Sequence, residues 1–409
     1  MQINNNLQSF YKSNITQKLN KKTKSLQFLP KCIESISDKK TIIYKGEKIK
    51  PAYIIDIVHN LLLKYYFKKD NKFAINAQVL KDRYGYLYKL YVDYLIEHNV
   101  IHLICNYRAG KNSRIYGLNP SIFKQKIQRI NNSDKTLLKK YKKKIFDTLE
   151  FVDENTSTIQ RGVREKLISD LFSVEIDFER SLFYLNLLKK SDIDIYNRNI
   201  YSVESINDKH IFYHFDDYGR LHTNFTILKS FIRKNCLRID GEETCEIDIK
   251  NSQPLFLCKL IEDSQTAWVN KDEFKFFKQL VISGNFYQYL MQVSGINDKK
   301  NVKELTYKVL FGHNRINSKS DIIFCQSFPT IHNFIKLYKK EFGSHKVLAH
   351  ELQRAESNLV YNKIIKKIML IFPDVKIVTV HDSIIFPKIW RNEIEQIFDY
   401  ELSQELSLK

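Results

Sequence analysis

The chain has 409 residues, 43 % apolar and 13 % aromatic, enough for more than one core and too apolar for global disorder. Its 66 Lys and Arg against 46 Asp and Glu leave a formal charge of +20, which points to a polyanionic partner. Six scattered cysteines with no C-x-x-C pair argue against a zinc ribbon or a disulfide framework, and fit the reduced thiols of a cytoplasmic protein. Part of the charge follows from a Lys-, Asn- and Ile-rich composition, but the lysines also cluster, in "KLNKKTKSL" and in "KKYKKKIF" at 139–146.

Residues 1–50 read as a basic, loosely packed arm. The start "MQINNNLQSFYKSN" lacks an apolar h-region, and no run approaches the roughly 18 uncharged apolar residues of a membrane span, so neither a signal peptide nor a membrane partner is expected. Over 51–120, "AYIIDIVHNLLLKYYF", "NAQVLKDRYG" and "YLYKLYVDYLIEHN" have helical periodicity, and "VIHLICNYRAGKNSRIYGLNP" reads as strand, basic turn, strand. Three helices followed by a two-stranded wing resemble the winged-helix family. Arg108, Lys111 and Arg114 at the wing tip are the expected phosphate contacts of a duplex-binding domain.

Residues 121–200 read as charged and mainly helical, with Lys139–Lys144 a solvated helix face. From 201 to 250 short strand-like runs follow. They include "FDDYGRLHTNFTILKSFIR", in which Gly219-Arg220 ends a polar turn and Arg220 and Arg233 are candidate nucleic-acid contacts. Residues 255–345 are helical. An amphipathic helix over 348–371 carries Leu348, Leu352, Ala355, Leu359, Ile364 and Ile368 on its apolar side.

Three segments of the second half carry chemistry. In "CEIDIKNSQPLFL", alternation puts Cys245, Ile247 and Ile249 on one face of a strand and Glu246, Asp248 and Lys250 on the other. In "TVHDSIIFP", two β-favouring halves flank His381, Asp382 and Ser383, a hairpin with a carboxylate at its bend. Two carboxylates on neighbouring strands suit a pair of divalent cations about 3.5–4 Å apart, as an in-line phosphoryl displacement uses. Between them, in "KKNVKELTYKVLFGHN", Lys299, Lys303, Tyr307 and Phe311 recur every four residues. On a helix they form one stripe, cationic for phosphates at one end and flat for a sugar and base at the other. Gly312 stands where the helix should end.

In this order, Gly219-Arg220, Asp248, Lys303 to Gly312, Gln353 and His381-Asp382 resemble the polymerase module shared by family A DNA polymerases and phage-type single-subunit RNA polymerases. The resemblance covers about residues 205–400. It implies an α+β fold, a right-hand polymerase with a palm sheet and helical fingers over 201–409, preceded by a helical thumb-like region over 121–200. It implies two Mg²⁺ ions, replaceable by Mn²⁺, on Asp248 and Asp382, with Lys303 on the triphosphate and Lys299 one turn before it. Tyr307 is then placed near the sugar, Phe311 beside the templating base, Arg220 and Gln353 on the primer-template, and His381 at the primer terminus.

Ser383 stands where the DNA enzymes have Glu, and Asp216 completes the D-x-x-G-R form of the RNA branch. Gln253, five past Asp248, lies where the family lines the 2′ side of the nucleotide. Its bulk, with Phe311 in place of the Tyr of the RNA enzymes, favours deoxynucleotides. The expectation is a template-directed DNA polymerase (a nucleotidyltransferase using dNTPs) of a plasmid, phage or mobile element. The alternatives are an RNA polymerase or primase on the same palm, and a replication initiator with an inactive palm.

Overall fold

In the computed structural model, residues 25–68, 71–108, 110–132, 134–140, 159–211, 213–264, 268–314 and 318–405 are described. They form a mixed α+β protein of two compact units, each discontinuous in sequence. One comprises Met1–Asp153, Val174–Phe212 and Ile227–Asp240; the other comprises Glu154–Ser173, Tyr213–Thr226 and Gly241–Lys409.

In the first unit, Ser25–Pro30 pairs antiparallel with Ile127–Asn132. The part of the basic arm that is described is folded, because Phe28, Leu29 and Ile49 are buried and Ile42–Tyr44 pairs with Glu47–Ile49. Positions 1–24 of the arm and 141–144 of the lysine run lie outside the described residues. The helix Pro51–Lys68 opens on a proline, whose missing N–H costs nothing at a first helical position, and buries Ile54, Val58, Leu61 and Leu62.

The helices Ala77–Tyr84 and Tyr88–Glu97 follow as expected, but the sheet beside them has three strands rather than two. Lys72–Ile75 pairs with Arg114–Leu118, which pairs in turn with Ile101–Cys105. "KFAI" is too short for alternation to show, and pairing rather than local pattern makes it a strand. For the same reason the stretch expected to be mainly helical over 121–200 contains the strands Ile127–Asn132 and Val174–Ile176. Its helices Phe178–Ser191 and Ile193–Asn207 begin at Asp177 and Asp192, whose carboxylates accept backbone N–H groups of the first turn.

The second unit has one core, in which Leu348, Leu352, Leu359, Ile364 and Ile368 are buried as their spacing requires. The helix that carries them runs as Val347–Ser357, then a π-helical stretch Asn358–Ile365, then Lys366–Ile371. Against it lie three antiparallel strands, Glu242–Asp248, Ser383–Pro387 and Val378–Val380. The unit also includes Ser252–Asp263, Lys299–Phe311 and the helices between them. No helix among the described residues is long and apolar enough to cross a membrane. All six cysteines are free thiols.

Candidate functional site

Strand register brings the two aspartates together. Asp248 stands opposite Ser383, and Asp382 is the residue before it. Only His381 and Asp382 link the paired Val380 and Ser383, and so tight a bend needs a positive φ. His381 supplies it at +57°, a conformation that costs a β-carbon residue of order 1 kcal/mol and is kept only where the surroundings impose it.

Those surroundings are polar and specific. The buried Asp170 and Lys166 form an ion pair on the helix Arg161–Leu171; Lys166 donates to the Val375 carbonyl at 2.7 Å, and the Ile377 N–H donates to Asp170 at 2.9 Å. This clamps the chain that leads into the hairpin. Ser383 donates to Glu246 on the adjacent strand at 3.0 Å, so this serine is a cross-strand tie. The Tyr361 hydroxyl, in the π-helical stretch, accepts the Leu221 N–H at 3.1 Å and shares a hydrogen bond with Thr379 at 3.1 Å. A π turn rotates the residues after it out of α-helical phase, and functional sites often carry one. Asp216 accepts the N–H groups of Tyr218 and Arg220 and pairs with His222, whose ring meets that of His381 edge to face at 5.8 Å. Partial burial opposes charge on Asp216, yet His222 and the two N–H groups hold its carboxyl below the usual range. The D-x-x-G-R aspartate thus builds the turn that presents Arg220.

A cleft of about 640 Å³ opens beside the carboxylates, within the usual size range of a small-molecule site. Asp248, Gln253, His381 and Asp382 line it together with Lys299, Lys303, Tyr307 and Phe311. The opposite face of that helix, with Val302, Leu305, Val309 and Leu310, is buried, which is why the stripe must face outward. Tyr307 and Phe311 stack at 5.3 Å and 12°, and Lys303 sits 5.4 Å from the ring of Tyr287. Gly312 ends the helix as expected, but its φ is negative; a Cβ there would run into the Lys308 carbonyl. The buried Lys339 donates to the carbonyls of Val309 (2.6 Å) and Gly312 (2.9 Å), closing the helix end, and burial pulls its ammonium down to about 8.

Arg220 also lines the cleft, but its guanidinium is engaged by Glu356, with Nε at 2.9 Å and Nη2 at 2.5 Å. Glu356 is only 1 % exposed and also accepts Ser252 Oγ and Gln253 Nε2, each at 2.6 Å. Gln353, one helical turn earlier and half-buried, does not line the cleft. Glu356 is the residue sequence reading missed. The available signal was an ionisable side chain in phase with Leu352 and Leu359 on an apolar face.

Burial, reinforced by the charges of Glu356 and Asp248, raises the Asp382 carboxyl to about 7; Arg220 offsets only part of this. Among the described residues, no group of three or more His, Cys, Asp and Glu side chains is arranged to hold a metal. The remaining candidates lie in the first unit. Arg108, Lys111 and Arg114 are exposed on and beside the turn between Ile101–Cys105 and Arg114–Leu118. Arg233 is buried and donates to the Leu228 carbonyl at 3.2 Å, so it acts as a structural residue there.

No protein-family model matches the chain, and no curated protein matches it in sequence.

Proposed function

We propose that the chain is a template-directed DNA polymerase of the right-hand type, using dNTPs. The sheet that carries Asp248, with the hairpin bend at Asp382, acts as its palm, and the helical set that includes Lys299–Phe311 acts as its fingers. One observation carries the reading: an aspartate at a strand end, a second at the neighbouring hairpin bend and a Lys-Lys-Tyr-Phe stripe, far apart in sequence, line the same cleft. A dead palm in a replication initiator has no use for that convergence. The sequence resemblance, the compact size and the basic charge fit a replication protein of a plasmid, phage or mobile element.

The donor set fits Mg²⁺ or Mn²⁺. Mg²⁺ is commonly held by one or two carboxylates with substrate phosphates completing its shell, so a pair of aspartates without a third ligand is sufficient. A carboxyl raised by burial and by neighbouring negative charge is also one that a bound cation would hold ionised. When bound, the metal pair would offset charge on the attacking and leaving oxygens. Lys299 and Lys303 would neutralise the triphosphate, and Tyr307 and Phe311 would flank the sugar and templating base. Gln253 is 4 % exposed and tethered to Glu356, so it cannot swing away from a 2′-hydroxyl.

In the first unit, the order helix, strand, two helices, two strands supports a winged-helix DNA-binding module. Its helix Tyr88–Glu97 presents Asp93 and Glu97 toward Lys45, so the Arg108–Arg114 turn is the better phosphate contact.

Extension of a primed DNA template with matched dNTPs and NTPs under Mg²⁺ tests the reading. Wild type is expected to extend with dNTPs; Asp248→Ala and Asp382→Ala are expected to abolish extension while DNA binding stays within a few-fold. Extension with NTPs alone would move the protein to the RNA polymerase or primase class, and wild-type rates in either variant would remove the palm assignment.

A further inference from the structure

Away from the carboxylate cleft, the first unit carries three aromatic rings in an edge-to-face chain. Phe183 and Tyr184, on the helix Phe178–Ser191, have centroids 5.5 Å apart at 71°. Tyr184 meets Phe231, on the helix Ser230–Cys236, at 5.5 Å and 64°. Phe183 is 62 % exposed, Phe231 36 %, and Leu187, one turn beyond Phe183, 52 %. Large apolar side chains grouped on a surface mark a contact site more often than chance placement.

Charge identifies the partner. Arg180, one turn before Tyr184, is exposed, as are Lys229 and Lys234 on either side of Phe231 in sequence; Glu179 and the half-buried helix cap Asp177 are acidic neighbours. Rings set among cations match a strand of unpaired bases, which offers both π-faces and phosphates; a duplex keeps its base faces stacked inside. An apolar protein partner would have no need of the cations.

We propose that this face is a stacking platform for single-stranded nucleic acid, with bases on Phe183 and Phe231 and phosphates at Arg180, Lys229 and Lys234. It does not depend on what the carboxylate cleft does.

The test is fluorescence anisotropy of the full-length protein, without divalent metal or nucleotide, on an oligothymidylate of about twenty nucleotides and on a duplex of similar length. The double variant Phe183→Ala/Phe231→Ala is expected to weaken oligothymidylate binding about tenfold or more and duplex binding less than about twofold. Phe183→Tyr/Phe231→Tyr should restore binding, since a phenol also stacks. Lys229→Gln/Lys234→Gln should reduce the slope of log K against log salt by about 1.4, two single-strand phosphate contacts' worth. All the substituted side chains are exposed at least in part, and unchanged circular dichroism and melting would show that the variants fold. Oligothymidylate binding that survives the alanine pair, or an equal loss on duplex, would overturn the proposal. So would a wild-type dimer that the alanine pair converts to monomer, because the face would then serve self-association.

Discussion

Glu356 receives four donor atoms from Arg220, Ser252 and Gln253 while buried on the apolar side of its helix. A buried charge pair is costly to break because the surviving partner stays desolvated. Glu356→Ala is therefore expected to lose about 3–5 kcal/mol by urea unfolding, and Arg220→Met/Glu356→Met distinctly less. Equal losses would mean the carboxylate's other donors dominate. Gln253, tethered to the same carboxylate, is the residue on which sugar choice should turn. One unmade buried hydrogen bond costs about 1–3 kcal/mol, so wild type should prefer dNTPs by about fivefold to a hundredfold. Gln253→Gly should erode that preference with little effect on dNTP use, and Phe311→Tyr should do less, since it opens no space; single-nucleotide extension reads both. His59 offers a pH test in the other unit. Its Nδ1 accepts the Phe28 N–H, and burial lowers its imidazolium to about 4 from the usual value near 6.5. Between those values the unfolded chain binds a proton that the folded chain refuses, so stability should fall as pH drops, by about 1.4 kcal/mol per unit and about 3 kcal/mol in all. Hydrogen exchange over Ser25–Pro30 from pH 7 to 4.5 would show the loss, and His59→Gln should flatten it.

The helix Lys299–Phe311 was the most legible element, because a four-residue repeat of Lys, Lys, Tyr and Phe has one geometric meaning on a helix. The hairpin at His381-Asp382 was nearly as clear, since two β-branched halves around a polar pair permit little else. Less legible was why Gly312 is a glycine. The residue type suggested only a helix stop, whereas the constraint is space beside the Lys308 carbonyl. Gly312→Ala is thus expected to destabilise the second unit by about 1–3 kcal/mol despite its permissible φ. A loss below about 0.5 kcal/mol in thermal unfolding would show that the helix end relaxes freely. The π turn at Asn358–Ile365 could not be read at all, because apolar spacing over one extra residue still resembles an amphipathic helix.

At the scale of the whole chain, the sequence divides more simply than the fold. A boundary at residue 120 would separate Ser25–Pro30 from its pairing partner Ile127–Asn132, and segments as late as Ile227–Asp240 belong to the first unit. DNA binding should therefore be measured on the full-length protein. With a formal charge of +20, binding to duplex DNA should be steeply salt-dependent; neutralising about six phosphates gives a slope of log K against log salt near −5. Lys111→Gln/Arg114→Gln should reduce that slope by nearly two if the exposed turn holds phosphates. A flat salt response would remove duplex DNA as the partner of this charge.

The sequence by itself determined what depends on neighbours a few residues apart: the helical stripes, the alternation around Asp248, the bend at Asp382 and the residues that stop helices. Tertiary structure alone decided what depends on distant partners and on desolvation. Lys72–Ile75 is a strand only because Arg114–Leu118 lies beside it. Arg220, which reads as a free cation, is engaged by a carboxylate more than a hundred residues away. Arg233 is buried instead of exposed. Asp382 carries a raised proton affinity because folding removes water from it and sets Glu356 and Asp248 nearby. Periodicity is written in local spacing, whereas the charge state and availability of a side chain are set by whatever the fold brings against it.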